Sequence, residues 1–200
     1  MASESGLVIR LQGGFYHVQT DTGLYMCNLR GKFKRGAAEE DLVAVGDHVT
    51  FQVISPTTGV IEKIHDRTRA FIRKATGTRY DYKQILLANP DQLILIFACA
   101  EPAPRLRMLD RFLVISEKED IPAMIVANKV DLVDQDAARR MFEMYPPLGY
   151  DVLFTSTKTG QGLDELHQRL IGKISVFTGP SGVGKSSLLN TIQPHLGLAV

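Results

Sequence analysis

The chain has 200 residues, of which 44% are hydrophobic and 22% are charged, and its formal net charge is +1 at pH 7. These values are typical of a globular protein with one large domain or two small ones. The longest apolar run, Leu93–Ala100, is far shorter than the about 20 residues that a helix needs to span a bilayer, and residues 1–15 show no signal-peptide pattern. We therefore expect neither a membrane protein nor a secreted one.

The two cysteines, Cys27 and Cys99, lie far apart and have no Cys or His at metal-ligand spacing. Such thiols are typical of proteins in a reducing compartment, so we expect a cytoplasmic location. We also expect a monomer.

The first 65 residues contain short strand-like segments separated by turn residues, with no helical period. The predicted strands are Leu7–Leu11, Phe15–Thr20, Leu24–Leu29, His48–Ile54 and Val60–Ile64. Alternation is clear in the fourth of these, where Val49, Phe51 and Val53 form one apolar face. This spacing predicts a small five-stranded barrel over residues 1–65. An OB-fold is the preferred interpretation, and an SH3-like barrel is the alternative.

Residues 66–90 form a predicted connector in which basic and aromatic residues are interleaved. The members of this basic stretch are Arg67, Arg69, Arg73, Lys74, Arg79 and Lys83, with Phe71, Tyr80 and Tyr82 between them; a second basic cluster is Arg30, Lys32, Lys34 and Arg35. Charge combined with stacking rings suits single-stranded or looped RNA. A solvated linker whose rings pack on the barrel has the same pattern. Residues 1–90 carry 12 Lys and Arg against 9 Asp and Glu, so this half is the better candidate to contact a polyanion.

From residue 91 the pattern changes to strands alternating with helices. The predicted strands are Gln92–Phe97, Ala123–Ala127, Tyr150–Thr155 and Ile174–Thr178, and the predicted helices are Leu106–Glu119, Gln135–Tyr145 and Gly162–Ile171. The nearly continuous apolar run of the first strand is that of a strand buried on both faces. Alternation of this kind predicts a parallel sheet with right-handed crossovers in a domain over residues 91–200.

A phosphate-binding loop of the form Gly-x-x-x-x-Gly-Lys-Ser follows the last predicted strand. Its residues are Gly179, Pro180, Ser181, Gly182, Val183, Gly184, Lys185 and Ser186, and Ser187 opens an apolar helical segment. The glycines allow backbone N–H groups to converge on phosphate oxygens, and the following helix adds partial positive charge. We expect Lys185 to bridge the β- and γ-phosphates and the Ser186 hydroxyl to ligate Mg²⁺; these two are the candidate catalytic residues.

A second candidate loop, Asn128-Lys129-Val130-Asp131, follows the strand that ends at Ala127. The Asp131 carboxylate can accept two parallel hydrogen bonds from the N–H edge of guanine, which adenine does not offer. Asn128 should brace the loop and contact the base, while the stem of Lys129 covers it.

A third loop, Ser156-Thr157-Lys158, follows the next strand, and the backbone N–H of Thr157 is a candidate donor to the base. All three loops lie at carboxyl ends of strands of one sheet, which is where ligands bind in such sheets. The sequence therefore predicts a GTP or GDP site with Mg²⁺. The base-reading loop precedes the phosphate loop, which indicates a circularly permuted domain.

The order of these features resembles that of the ribosome small subunit-dependent GTPase family, RsgA/YjeQ. Further matching stretches are Leu29-Arg-Gly-Lys, Val45-Gly-Asp-His-Val, Gly59-Val-Ile-Glu, Asn89-Pro-Asp-Gln-Leu and Leu109-Asp-Arg-Phe-Leu. The resemblance implies an OB-fold joined to a circularly permuted GTPase that acts in late maturation of the small ribosomal subunit, with contacts to its rRNA.

The family pattern continues with switch regions, an Asp-x-x-Gly motif and a zinc domain, and none of them is present in these 200 residues. We therefore expect a C-terminally incomplete GTPase domain that binds nucleotide but hydrolyses it poorly, with zinc only in the missing C-terminal domain. The alternatives are an RNA-binding module with a vestigial nucleotide site and a permuted GTPase of large-subunit assembly.

Overall fold

The computed structural model of the chain describes residues 2–30, 43–74 and 83–193. The chain divides into two units, Met1–Pro90 and Asp91–Val200. Within the described residues, no helix is both long enough and apolar enough to cross a membrane.

The first unit contains a closed barrel of five strands. They are β1 (Ser3–Gln12), β2 (Phe15–Gln19), β3 (Leu24–Leu29), β4 (His48–Ser55) and β5 (Thr58–Ile64). They close in the order β1-β2-β3-β5-β4, and β1 pairs with both β2 and β4. The β3–β5 pair is parallel, whereas the other pairs are antiparallel. The predicted five-stranded barrel of the OB type is thus confirmed, although β1 begins four residues earlier than expected.

Alternating side chains of the strands fill the barrel. The fully buried members of its core that lie on the strands are Val8, Val18, Cys27, Val49, Phe51 and Ile61. In β4 the predicted apolar face is observed, because Val49 and Phe51 are inside and His48 is exposed. Burying one such large apolar side chain stabilises the fold by about 1.5–3 kcal/mol. Gly59 on β5 is required by this packing, since a Cβ there would lie 2.5 Å from the ring of Phe51.

An antiparallel hairpin follows the barrel, where the sequence predicted only a connector. It is formed by β6 (Ala70–Lys74) and β7 (Lys83–Ala88). The buried carboxylate of Asp47 accepts two hydrogen bonds of 2.7 Å from the Arg67 guanidinium, just before β6. The side-chain amide of Asn89 donates to the carbonyl of Gly46 at 2.9 Å, just after β7. Both ends of the hairpin are therefore tied to the turn that precedes β4.

These contacts also show where some of the predicted basic residues lie. Arg67 is engaged by Asp47, and Arg30 forms an ion pair with Glu62 on the barrel. The remaining members of the second basic cluster, Lys32, Lys34 and Arg35, lie outside the described residues, as do Arg79, Tyr80 and Tyr82 and the side chains of Arg73, Lys74 and Lys83.

The second unit is built on a sheet of parallel strands. They are β8 (Gln92–Ala98), β9 (Ala123–Asn128), β10 (Asp151–Thr155) and β11 (Ser175–Thr178), in the spatial order β10-β9-β8-β11. Every residue of β8 is buried, as its continuous apolar run predicted. The predicted parallel sheet is confirmed.

The α-helices of this unit within the described residues are α1 (Leu106–Lys118), α2 (Gln135–Phe142), α3 (Leu163–Leu170) and α4 (Lys185–Ile192). On α1 the buried residues Leu109, Leu113 and Ser116 recur at helical spacing. The second helix ends three residues before the predicted Tyr145. Two prolines follow this tyrosine and begin a separate 3₁₀ turn, because a proline has no backbone N–H with which to continue the hydrogen bonds of the helix.

Candidate nucleotide-binding site

The loops after β9, β10 and β11 share one edge of the parallel sheet. Thr155 at the end of β10 is in register with Asn128 at the end of β9, which is in register with Ala98 at the end of β8. In the next pair, Thr178 of β11 is level with Leu95 of β8. The three predicted loops therefore emerge at the same side of the sheet, the usual position of a ligand site in α/β folds.

The loop between β11 and α4 has the backbone conformation of a phosphate cradle. Gly179 has φ = +147°, and a Cβ there would lie 2.1 Å from the carbonyl oxygen of Ile96. Gly184 has φ = +94°, and a Cβ there would lie 2.5 Å from Nδ2 of Asn128. Only glycine fits such close approaches at these angles. The loop ends at Lys185, where α4 begins, so the free N–H groups of the first helical turn face the loop.

The Lys185 side chain lies within the loop that it follows. Its Nζ atom donates to the carbonyl oxygens of Gly179 at 3.0 Å and Pro180 at 2.6 Å. The ammonium group is therefore held at the mouth of the loop, and a phosphate would take the place of these carbonyls as its partner. Val183 is buried below, whereas Ser181 and Gly182 are exposed at the tip.

The Asn128 side chain joins the base-reading loop to the phosphate loop. It is fully buried, and its Nδ2 atom donates to the carbonyl oxygen of Val183 at 2.8 Å. Its Oδ1 atom accepts a hydrogen bond of 3.0 Å from Oγ1 of Thr155, which is also fully buried. Neutral hydrogen bonds between two buried groups have a high cost when one partner is removed, about 1–3 kcal/mol. The predicted bracing role of Asn128 thus has a geometric basis.

The Asp131 carboxylate is exposed and held by the third loop. The Ser156 hydroxyl, buried at the end of β10, donates to its Oδ1 atom at 2.6 Å. The same hydroxyl accepts from the backbone N–H groups of Lys158 and Thr159, each at 3.2 Å. Ser156 therefore fixes the orientation of Asp131 while both carboxylate oxygens keep lone pairs for a ligand. The Thr157 N–H has no hydrogen-bond partner within the part of the chain that the structure describes.

Lys129 connects this region to the loop after β8. Its backbone is left-handed, with φ = +61°, and its ammonium group donates to the carbonyl oxygen of Glu101. The side chain is half-buried, and its Cε atom lies 4.0 Å from where a Cβ of Gly184 would be. Val130 is buried and opens a 3₁₀ turn. The aliphatic stem of Lys129 thus spans from the base-reading loop towards the phosphate loop.

Three residues that shape the candidate site were not predicted from the sequence. Thr155 orients Asn128, the carbonyl of Glu101 holds Lys129, and Gly162 lies so close to β10 that a Cβ would be 2.3 Å from the Phe154 carbonyl oxygen. A polar residue at the end of an apolar strand was a usable signal for Thr155. Glu101 acts through its backbone, which leaves no trace in residue type.

The Ser186 hydroxyl fits the role of a Mg²⁺ ligand. It lies half-buried in the first turn of α4 and has no side-chain partner within residues 2–30, 43–74 and 83–193. No group of three or more His, Cys, Asp or Glu side chains in those ranges is placed to hold a metal ion. Mg²⁺ commonly binds through one or two protein oxygens together with substrate phosphates and water, so a single hydroxyl beside a phosphate cradle suits it.

The fold and these loops define a class: a P-loop nucleotide-binding domain in which the base-reading loop precedes the phosphate loop, preceded by an OB-like barrel. Comparison with known proteins agrees with this assignment. Residues 64–200 match the RsgA GTPase family and residues 5–61 match the RsgA N-terminal domain. The chain therefore belongs to the RsgA GTPase family.

Two relatives are proteins named small ribosomal subunit biogenesis GTPase RsgA. That of Moorella thermoacetica is 44% identical over 96% of this chain, and that of Gemmatimonas aurantiaca is 41% identical over 98%. The chain spans 61% and 64% of the lengths of these relatives. Among solved structures, YjeQ from Thermotoga maritima is 36% identical with a TM-score of 0.82, covering all of this chain and 67% of that one. YloQ, described as a circularly permuted GTPase, is 34% identical with a TM-score of 0.77, covering 97% and 66%.

Proposed function

We propose that this chain binds GTP and GDP with Mg²⁺, and that the protein hydrolyses GTP during late maturation of the small ribosomal subunit in the cytoplasm. The observation that carries the nucleotide proposal is the buried contact from Asn128 to the carbonyl of Val183. It ties a loop suited to guanine to a loop suited to phosphate, so one nucleotide can engage both.

Base selection would come from Asp131. Guanine offers two neighbouring N–H donors, and a carboxylate accepts both in a bidentate, charge-assisted pair. Ser156 holds that carboxylate in place, and the Thr157 N–H, which has no partner among the described residues, would donate to the guanine carbonyl. Adenine lacks the donor pair and would give the carboxylate no partner on the base, which disfavours its binding.

Phosphate binding would use the backbone of residues 179–184 and the start of α4. Lys185 would release the carbonyls of Gly179 and Pro180 and contact the β- and γ-phosphates. The Ser186 hydroxyl would hold Mg²⁺, which supplies neutralisation of the charge that develops on the phosphates. Lys185 and Ser186 thus contribute electrostatic stabilisation and orientation to phosphoryl transfer.

The ribosomal part of the proposal is supported by the family and by the charge of the first unit. Relatives carry the name of a small-subunit biogenesis GTPase. Residues 1–90 contain 12 Lys and Arg and 9 Asp and Glu, so they have three more basic than acidic residues. We propose that the barrel and the β6–β7 hairpin contact rRNA of that subunit. A polyanionic partner would be favoured by this balance.

Titration of fluorescent GDP onto the chain tests the nucleotide site. Asp131→Asn replaces one carboxylate oxygen by a donor group and should weaken GDP binding roughly 100-fold, since each charge-assisted hydrogen bond contributes about 1.5–3 kcal/mol. Asp136→Asn is the matched control, because this exposed carboxylate lies in the first turn of α2 and outside the site. Equal GDP affinity of Asp131→Asn and the control would contradict the proposed base contact.

The same proteins, loaded with a non-hydrolysable GTP analogue, are then sedimented with separated ribosomal subunits. We expect the wild-type chain to sediment with the small subunit, and the Asp131→Asn variant to do so only at higher nucleotide concentration. Sedimentation with the large subunit alone would instead support a factor of large-subunit assembly.

A further inference from the structure

A groove of about 800 Å³ lies along one side of α1 and is called the α1 groove here. Its lining includes three arginines and three apolar residues, which are Arg105, Arg107, Arg111, Met108, Phe112 and Ile115. The three apolar residues are half-buried and recur at spacings of four and three residues, so they form one stripe along the helix. The buried face of the same helix is a different row, formed by Leu109, Leu113 and Ser116. The apolar stripe therefore lies beside the buried face and is turned towards the groove.

The α1 groove carries positive charge that no described residue neutralises. Arg105, Arg107 and Arg111 are all exposed. Their side chains have no hydrogen-bond or ion-pair partner within residues 2–30, 43–74 and 83–193. Among the described residues that line the groove, none is Asp or Glu. A negatively charged partner would therefore meet three guanidinium groups whose N–H donors are available.

The acidic side chains of α1 lie on another side of the helix. The hydroxyl of Tyr145 donates to the Asp110 carboxylate at 3.0 Å, and the hydroxyl of Tyr150 donates to the Glu117 carboxylate at 2.9 Å. Asp110 is two residues away from Met108, which places the two side chains on nearly opposite sides of a helix with 3.6 residues per turn. The charges of α1 are thus segregated, with the arginines at the groove and the carboxylates bonded to the tyrosines.

The shape of the α1 groove suits an elongated partner. All residues that line it lie between positions 104 and 115, so the groove has no opposite wall that could enclose a small molecule. The stripe from Met108 to Ile115 extends over seven residues, which corresponds to about 10 Å along the helix axis. A second helix that lies along this stripe would cover it, and amphipathic helices bind to apolar grooves in this way.

We infer that the α1 groove binds an acidic amphipathic helix of a partner protein. The apolar side chains of that helix would pack on Met108, Phe112 and Ile115, and its Glu or Asp residues would lie beside the arginines, whose planar donors match carboxylates. The phosphates of RNA would also satisfy the arginines, but they would leave the apolar stripe without a partner. The inference is independent of the proposed function, because the groove shares no residue with the three loops of the nucleotide site.

The test is fluorescence anisotropy of the 200-residue chain with labelled, designed peptides of about 15 residues, the length at which an isolated helix becomes stable. The first peptide carries leucines at helical spacing with glutamates beside them, and the second has lysines in place of the glutamates. In the third peptide, serines replace the leucines of the first. The wild-type chain should bind the glutamate peptide more tightly than the lysine peptide. It should bind the serine peptide at least about tenfold more weakly than the glutamate peptide, because apolar burial drives helix docking.

Charge reversal at the groove gives the decisive variant. Arg107→Glu/Arg111→Glu should bind the glutamate peptide at least about tenfold more weakly and should prefer the lysine peptide, because attractive charge pairs become repulsive ones. Arg139→Glu/Arg140→Glu is the matched control, since it reverses two exposed arginines in the last turn of α2, outside the groove. The control should bind each peptide like the wild type.

Equal affinity of the two double variants for the glutamate peptide would overturn the inference, as would a wild-type chain that does not bind this peptide or binds the serine peptide equally well. If a labelled RNA displaces the glutamate peptide from the wild type and loses its affinity in Arg107→Glu/Arg111→Glu, the arginines serve RNA and the inference is wrong. Fluorescent GDP is titrated onto each variant in parallel and should bind equally. A wild-type chain without GDP binding would refute the proposed nucleotide site and leave the peptide result to stand by itself.

Discussion

Substituting Thr155 by valine removes one hydroxyl group and retains the shape of the side chain. Thr155 and Asn128 are both fully buried, and the bond between Oγ1 and Oδ1 is 3.0 Å long. In Thr155→Val the Asn128 carbonyl oxygen loses its donor where water cannot replace it. An unsatisfied buried acceptor costs about 1–3 kcal/mol, so the free energy of unfolding of the second unit should fall by about that amount.

Nucleotide affinity should fall in the same variant. The Asn128 amide would keep its bond to the Val183 carbonyl and lose its second support, and a loss of about 1 kcal/mol in its positioning corresponds to roughly fivefold weaker GDP binding. Urea denaturation followed by circular dichroism and fluorescent GDP titration measure the two effects. Thr155→Ser is the matched control, because it keeps the hydroxyl and should retain GDP affinity despite the loss of a methyl group. Wild-type stability and GDP affinity in Thr155→Val would refute the role given to this hydrogen bond.

Two further predictions concern buried polar groups. Arg67→Leu leaves the fully buried Asp47 carboxylate with the Ala44 N–H as its donor among the described residues. Urea unfolding of the barrel should therefore show that the free energy of unfolding falls by about 3–5 kcal/mol. An unchanged midpoint would contradict the stabilising role of this ion pair. Burial raises the pKa of Cys27 and of Cys99 from 9.0 to about 11. A thiol whose pKa is higher in the folded than in the unfolded protein contributes its full stabilisation below the unfolded pKa, and this contribution is lost as the pH rises through the folded pKa. The free energy of unfolding should therefore decline from pH 9 to pH 11, because the thiols of the unfolded chain ionise first. Alkylation by iodoacetamide at pH 8 should be slow until urea is added, and rapid labelling of the folded chain would disprove this burial.

The regular elements of the second unit were predictable because each depends on local pattern. The continuous apolar run of β8 predicted a strand buried on both faces, and every residue of it is buried. The early end of α2 was also encoded, because the prolines at 146 and 147 lack the backbone N–H groups that would continue the helix. The predicted end of this helix at Tyr145 was wrong by three residues.

The hairpin of β6 and β7 was harder to predict because its support is not local. Its ends are fixed through Arg67 and Asn89, whose partners Asp47 and Gly46 lie 20 and 43 positions earlier in the chain. Gly46 has φ = +88° and would place a Cβ 2.0 Å from the Ala88 carbonyl oxygen, so the close approach depends on glycine. The sequence displays this glycine but not the strand against which it packs.

The candidate site likewise contains residues that a local pattern predicts and residues that it does not. The glycines that shape their own loop, such as Gly179 and Gly184, could be proposed as site residues from spacing alone. Ser156 was predicted as part of a base-binding triplet, and the structure shows in addition that its hydroxyl holds Asp131. Thr155 and the Glu101 carbonyl acquire their roles only when neighbouring strand ends come together, so single-segment patterns do not identify them.

The hydrogen bonds of Asn128 determine how changes at this residue should be interpreted. A side-chain amide has two N–H donors and an oxygen with two lone pairs. One donor is used by Val183 and one lone pair by Thr155, so a single N–H remains for the base. Substitution of Asn128 would therefore disturb the phosphate loop and the base-reading loop together. The proposed guanine selectivity would come instead from Asp131, because its carboxylate is exposed and the hydrogen bond from Ser156 orients it without using all of its lone pairs.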